Sequence, residues 1–214
     1  ENYYNELAFC ANEMMLENGF HTILEAGSGS GKATIFLNKS FHKTLLDISP
    51  FALKYSKYLV EKFSVEKVKF FEGNIFSMPF KNNDFDLVWN IGVIEHYELN
   101  HIKLAIKEMV RVCSKSGIVA VGIPNFYSGP ILKAELLRQL KFFPGYKLDT
   151  EKFYKPSIIE GLFREISKEL GRKITSVNIE YFGNPLIMET PRFILKVIGG
   201  LISRLFRKNK FLML

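Results

Sequence analysis

Ile23-Leu24-Glu25-Ala26-Gly27-Ser28-Gly29-Ser30-Gly31 decides how the rest of this chain is read: an apolar pair runs into an acid and then into three glycines at alternate positions. Apolar residues before such a turn make a short buried strand, and glycine lets the backbone take positive φ and approach another group where a Cβ would collide. Working outward, Asp47 closes a second apolar run, Thr44-Leu45-Leu46-Asp47-Ile48, twenty residues beyond Gly27 (47 − 27). A strand, a tight turn, a helix and a second strand form the repeating unit of a parallel sheet. An acid at the tip of the second strand can accept hydrogen bonds from hydroxyl groups of a ligand held at the turn.

Spacing tests which ligand the turn suits. A dinucleotide fingerprint, G-x-G-x-x-G, beginning at Gly27 needs a glycine or a small residue at position 32, where Lys32 stands. A P-loop aligned on Gly31 and Lys32 needs glycine in place of Ala26 and a hydroxyl in place of Ala33. Neither phosphate reading fits. What is left is acid-x-G-x-G-x-G with a second acid ending the next strand, and in this pattern the chain resembles the class I S-adenosylmethionine-dependent methyltransferases, of the small-molecule type. Their cofactor, S-adenosyl-L-methionine, has no phosphate.

The resemblance implies an α/β fold, a Rossmann-like, doubly wound, seven-stranded and mostly parallel sheet with a helical lid insertion. It also implies contacts. Gly27 and Gly29, with Ser28 and Gly31 in the same turn, would admit the methionine portion, and Glu25 would help orient its amino group. Asp47 would take the ribose hydroxyls, and Ile48 would lie against the adenine face. The segment from Phe71 to Phe80 is similar to a family motif that usually carries Asp where Asn74 stands; an amide oxygen can still accept from the adenine amino group, with Ile75 next to it. Phe85 to Tyr97 is similar to the family's fourth-strand motif, which puts Asn90, Gly92 and His96 near the methionine end. No catalytic residue is assigned. The sulfonium already activates the methyl group, so positioning and water exclusion carry the reaction, and a base such as His96 is needed only where the attacking atom must lose a proton.

Elsewhere the pattern predicts a helix over 3–19, strands over 22–26, 44–48, 67–71, 85–90 and 117–123, and a first crossover helix over 33–38. Ser49-Pro50 is a helix start, hydroxyl before proline, for a helix to Phe63. Asn100 can cap the next helix, and Ser157 with Glu160 reads as a capping box for a helix stopping at Gly171. A sixth strand is expected over 174–182. Residues 125–154, rich in aromatics and interrupted by Pro144-Gly145, read as the lid insertion. Residues 186–208 read as a variable amphipathic helix. A single domain spanning 1–214 is expected, with 1–19 as a helix capping the cofactor cleft.

Composition narrows the partners. Of the net charge of +7, six units lie from Pro191 onward, where Arg192, Lys196, Arg204, Arg207, Lys208 and Lys210 occur without an acid. The body is therefore nearly neutral, and a nucleic-acid partner is not expected; a small-molecule acceptor is. The tail could lie on an anionic membrane or serve as an ordinary surface helix. Two cysteines without neighbouring His or Cys give neither a metal pattern nor a disulfide framework, and no run of about 18 apolar residues occurs. A cytoplasmic setting is expected. Three rival readings are a methyltransferase for nucleic acid or protein, a non-catalytic S-adenosylmethionine-binding protein, and a nucleotide-dependent oxidoreductase, which Lys32 disfavours.

Overall fold

The computed structural model describes residues 2–124, 152 and 154–179. The chain divides into two compact units, residues 1–123 with 152–177, and residues 124–151 with 178–214; the first holds the sheet. In chain order its elements are α1 (Asn2–Glu17), β1 (Thr22–Ala26), α2 (Lys32–Ile35), β2 (His42–Asp47), α3 (Pro50–Lys62), β3 (Val68–Glu72), β4 (Phe85–Ile91), a 3-10 turn (Ile94–His96), α4 (Leu99–Val112), β5 (Cys113–Gly122) and α5 (Pro156–Glu169).

All four strand pairs are parallel, in the order β3-β2-β1-β4-β5. The order reverses at β1, whose neighbours are β2 and β4, and the crevice beyond the carboxyl ends of strands at such a switch is where these sheets take ligands. Register fixes what meets there. Glu25 stands level with Leu45 on one side and Trp89 on the other. Both faces are covered, so the central strands are apolar on both sides. Leu24, Leu46 and Val88 pack under Ile102, Ile106 and Met109 of α4 and Ile159 and Ile166 of α5. On the opposite face Ile23, Leu87 and Trp89 meet Leu7, Ala11 and Met15 of α1, while Leu45 packs with Ile35 and with Leu59 of α3.

Local chemistry explains several boundaries. Ser49 accepts the Ala52 N–H through its hydroxyl and Pro50 occupies the first helical position, so α3 starts as its sequence predicts. Gly19 takes φ +66° just past the end of α1, the left-handed conformation that closes helices. The connection between β3 and β4 has no helix. It is held by Arg111, which donates to the carbonyls of Met78 and Phe80, and by Glu108, which accepts the Met78 N–H.

Other expectations are corrected. The first crossover helix spans only Lys32–Ile35, because the Leu37 N–H turns back to the Thr34 carbonyl and the Asn38 N–H is taken by Asn12. Helix α4 begins after Glu98, whose carbonyl accepts the Ile102 N–H, and not at Asn100. The capping box is not formed: α5 starts at Pro156 behind Lys155, and Glu160 pairs with Arg164 one turn on. Strand β5 begins at Cys113, directly after α4. Residues 174–179, the described part of the expected sixth strand, do not join the sheet. The expected lid over 125–154, save Lys152 and Tyr154, and the amphipathic helix over 186–208 lie outside the described residues. Those two residues are tied to the 3-10 turn region: the Lys152 N–H donates to the Glu95 carbonyl at 2.8 Å and the Tyr154 hydroxyl to the Tyr97 carbonyl at 2.8 Å.

Candidate functional site

The glycine turn is fastened to β2 before any side chain is considered. The N–H groups of Gly27 and Ser28 both donate to the Leu46 carbonyl, at 2.8 and 2.9 Å. Two close approaches explain the glycines. A Cβ on Gly27 would stand 3.0 Å from Val93, and one on Gly31 would stand 2.4 Å from Leu45 Cδ1, with both residues at positive φ. At Gly29, φ +52°, a Cβ would meet nothing within 4 Å, so space is left above the middle of the turn.

Asp47 organises that middle. One carboxylate oxygen accepts the Gly29 N–H at 2.6 Å and the other the Ser49 N–H at 2.8 Å, which fixes the carboxylate and leaves lone pairs for further donors. The Gly29 carbonyl is held from the other side, 3.0 Å from the hydroxyl of Ser56 on α3. Ser56 was not marked by any motif; its signal is a buried serine in the inward stripe Leu53, Ser56, Leu59.

Glu25 is 4% exposed, and its Oε2 has no hydrogen-bond partner. Burial drives its pKa up from 4.5 to about 8; a hydrogen bond from Thr34 opposes the rise and the Asp47 charge adds to it. Thr34 is itself buried and accepts from the Trp89 indole N–H at 2.9 Å. A chain of three buried groups, Trp89 to Thr34 to Glu25, thus holds one side of the carboxyl and leaves the other unmet. Thr34 and Trp89 escaped the sequence reading, since neither belongs to the glycine motif. Ser28 Oγ is a second buried atom without a partner in this turn.

The remaining expected residues divide. Ile48 is 68% exposed beside Asp47, an apolar side chain open to a ligand. Asn74 is exposed, but its oxygen accepts the Phe76 N–H at 2.9 Å, so a short turn engages the atom expected to face an adenine amino group. Ile75 points into the core under α4. Asn90, 1% exposed, donates to the Ala26 carbonyl and accepts the Ile94 N–H; its side chain staples β1 to the 3-10 turn. Gly92 takes φ +71° and lies on the surface after β4, and His96 is exposed at the end of the 3-10 turn.

Two carboxyl groups, one fixed and one buried with an open side, thus stand at the adjacent carboxyl ends of β1 and β2 around a turn whose backbone is clamped from both sides. Such a cradle suits a ligand with a cationic group and vicinal hydroxyls and without phosphate. Among the described residues no group of three His, Cys, Asp or Glu could hold a metal ion, and no helix is long and apolar enough to cross a membrane.

Comparison with known proteins bears on the family and the fold. The model of a methyltransferase domain matches residues 24–121. An uncharacterized protein of Methanocaldococcus jannaschii is 30% identical over 225 aligned positions, covering 100% of this chain and 87% of that protein. A Methanococcus maripaludis structure assigned to the S-adenosyl-L-methionine-dependent methyltransferases superposes with a TM-score of 0.58 at 19% identity, covering 86% of this chain and 83% of that one. The PH0226 protein of Pyrococcus horikoshii superposes with a TM-score of 0.63 at 20% identity, covering 83% and 84%. Over residues 24–121, which include the switch-point turn, this chain matches the methyltransferase-domain family, and its fold is the one that S-adenosyl-L-methionine-dependent methyltransferase structures share.

Proposed function

We propose that this chain transfers the methyl group of S-adenosyl-L-methionine to a small, partly apolar acceptor by in-line displacement. The observation that carries the reading is the pair Glu25 and Asp47: a buried carboxyl with an unmet oxygen and a fixed carboxylate flank the clamped glycine turn. The residues fit the cofactor. Glu25 would meet its ammonium, Asp47 its ribose hydroxyls, Ile48 its adenine face, and the open space over Gly29 its methionine chain.

Once bound, the sulfonium supplies an activated methyl group. The protein's part is orientation and exclusion of water, because a nucleophile held about 3 to 3.5 Å away in line with the breaking bond needs little other help. Asn90 and the Ala26 carbonyl keep the end of β1 in register with the 3-10 turn and so tie the two lips of the crevice together. Phe76 and Tyr97 pack edge to face at 5.1 Å next to that turn; their rings support an acceptor with apolar or aromatic surface. If the acceptor must lose a proton, His96 is the candidate base in this reading.

Calorimetric titration with S-adenosyl-L-methionine and with NAD is the test. The first is expected to bind and the second not. Asp47→Ala should weaken the first by roughly tenfold or more, the loss of one to two charge-assisted hydrogen bonds. Unchanged uptake in that variant would sink the reading. Formation of S-adenosylhomocysteine on incubation with phenols, amines and thiols then sorts the acceptor class.

A further inference from the structure

Helix α3 turns Leu53, Ser56 and Leu59 inward. Its outward stripe runs Phe51, Tyr55, Tyr58, Lys62, spaced four, three and four residues apart along one side of the helix. Phe51 is 82% exposed, Tyr55 45% and Tyr58 51%, and the two tyrosine rings stack on each other at 6.2 Å. The stripe continues onto neighbouring elements. Lys32 Nζ sits 5.8 Å from both the Tyr55 ring and the Tyr4 ring of α1. Lys62 lies over Tyr58 and Phe63, and Phe63 meets Phe36 edge-on at 5.2 Å. Lys54 and Lys57 line the same exposed side, where Glu61 is the one acid of the helix.

Exposed rings of this number on one face, interleaved with cations, mark a surface that is covered in use. A second copy of the chain would set lysine against lysine across a two-fold contact. Single-stranded nucleic acid would use free ring faces and arginine; here the tyrosines stack on each other, lysines cap the rings, and no arginine occurs before Arg111. An anionic lipid surface satisfies both halves of the pattern, rings at headgroup depth with lysines reaching the charged layer. Phe51 and Phe63, which have no polar end, gain by leaving water for such a phase.

We propose that the outward face of α3, with Lys32 and the rings that flank it, docks on an anionic membrane surface. Lys32 directly follows Gly31, and Phe51 lies four residues past Asp47, so the docked face borders the cofactor turn. The basic, acid-free tail from Pro191 is a second sequence element of the same character. Docking stands apart from the methyl-transfer reading, since no α3 surface residue is assigned to cofactor or acceptor.

Co-sedimentation of the full chain with vesicles of phosphatidylcholine, alone or mixed with phosphatidylglycerol, tests it. Binding is expected only to the mixed vesicles and should weaken as salt is raised. Tyr55→Ser with Tyr58→Ser, and separately Lys54→Glu with Lys57→Glu, should each lower the bound fraction about tenfold, with melting temperature and S-adenosyl-L-methionine uptake unchanged. The lysine pair decides the matter if the tyrosine pair fails to fold. Wild-type binding by the folded variants overturns the proposal, because the tail alone would then account for it. So does absence of binding to mixed vesicles, or loss of oligonucleotide binding or of dimerisation in variants that keep vesicle binding.

Discussion

At Glu25 a carboxyl sits sealed among strands with Thr34 as its donor, and its pKa of about 8 against 4.5 in the unfolded chain has consequences in both directions. Between those two values the native state keeps a proton that the unfolded state has lost, so stability of the ligand-free protein should fall as pH rises through that window. A cationic amino group favours the ionised carboxyl. Uptake of S-adenosyl-L-methionine should therefore release a proton below about pH 8 and tighten as pH approaches 8. Titrations in two buffers of different ionisation enthalpy read the proton directly; Glu25→Gln should abolish the release and flatten the pH dependence of stability. The same cluster yields a second expectation. Thr34→Val keeps the shape but leaves the Trp89 indole N–H buried without an acceptor, a cost of about 1 to 3 kcal/mol that the midpoint of a urea melt will show.

In the proposed reading the glycine turn is the element that admits the cofactor, and its glycines are not equivalent. Gly31→Ala adds a Cβ 2.4 Å from Leu45 Cδ1 at φ +63°, while Gly29→Ala adds one into open space at φ +52°. Steric conflict comes on top of backbone strain only at Gly31, since the strain itself is roughly 1 kcal/mol at either site. Thermal melts should rank Gly31→Ala as the less stable protein. Titration with S-adenosyl-L-methionine should rank Gly29→Ala as the poorer binder relative to its stability, because the free space there is what a ligand would enter. Elements α2 and α5 teach a different lesson. The end of α2 departs from the sequence signal where a longer-range partner, Asn12, takes the Asn38 N–H, while in α5 a neighbour one turn on, Arg164, draws Glu160 away from the expected cap. Capping signals are local preferences of about 1 kcal/mol, so one competing hydrogen bond or ion pair can redirect them.

Across the whole molecule, the helix-free connection between β3 and β4 depends on α4. Arg111 and Glu108 bind each other and reach the backbone of Met78 and Phe80. Burial raises the Glu108 pKa, yet the Arg111 and Met78 hydrogen bonds outweigh it and hold the carboxyl below its ordinary value. The stability this pair contributes is thus present above the usual carboxylate range and is lost on acidification. Arg111→Met should cost about 2 kcal/mol by the loss of charge-assisted bonds, whereas Lys103→Ala, which breaks solvent-exposed pairs to Glu165 and Glu169, should leave the urea midpoint almost where it was. The parallel α/β plan, the glycine turn and the acid at Asp47 are legible in the chain alone, because these rest on local features: strand hydrophobicity, positive φ, and the distance from one strand tip to the next. It takes the folded chain to show that Thr34 and Trp89 isolate one side of Glu25, that Ser56 grips the Gly29 carbonyl, and that Asn90 staples two strands and so turns its side chain inward. The hydrogen bonds made by Ser56, Trp89 and Asn90 join residues 27 to 64 positions apart. Nothing in the neighbouring sequence encodes them, since they exist only once the crossovers have laid β1 between β2 and β4 and removed the water that would otherwise satisfy each group.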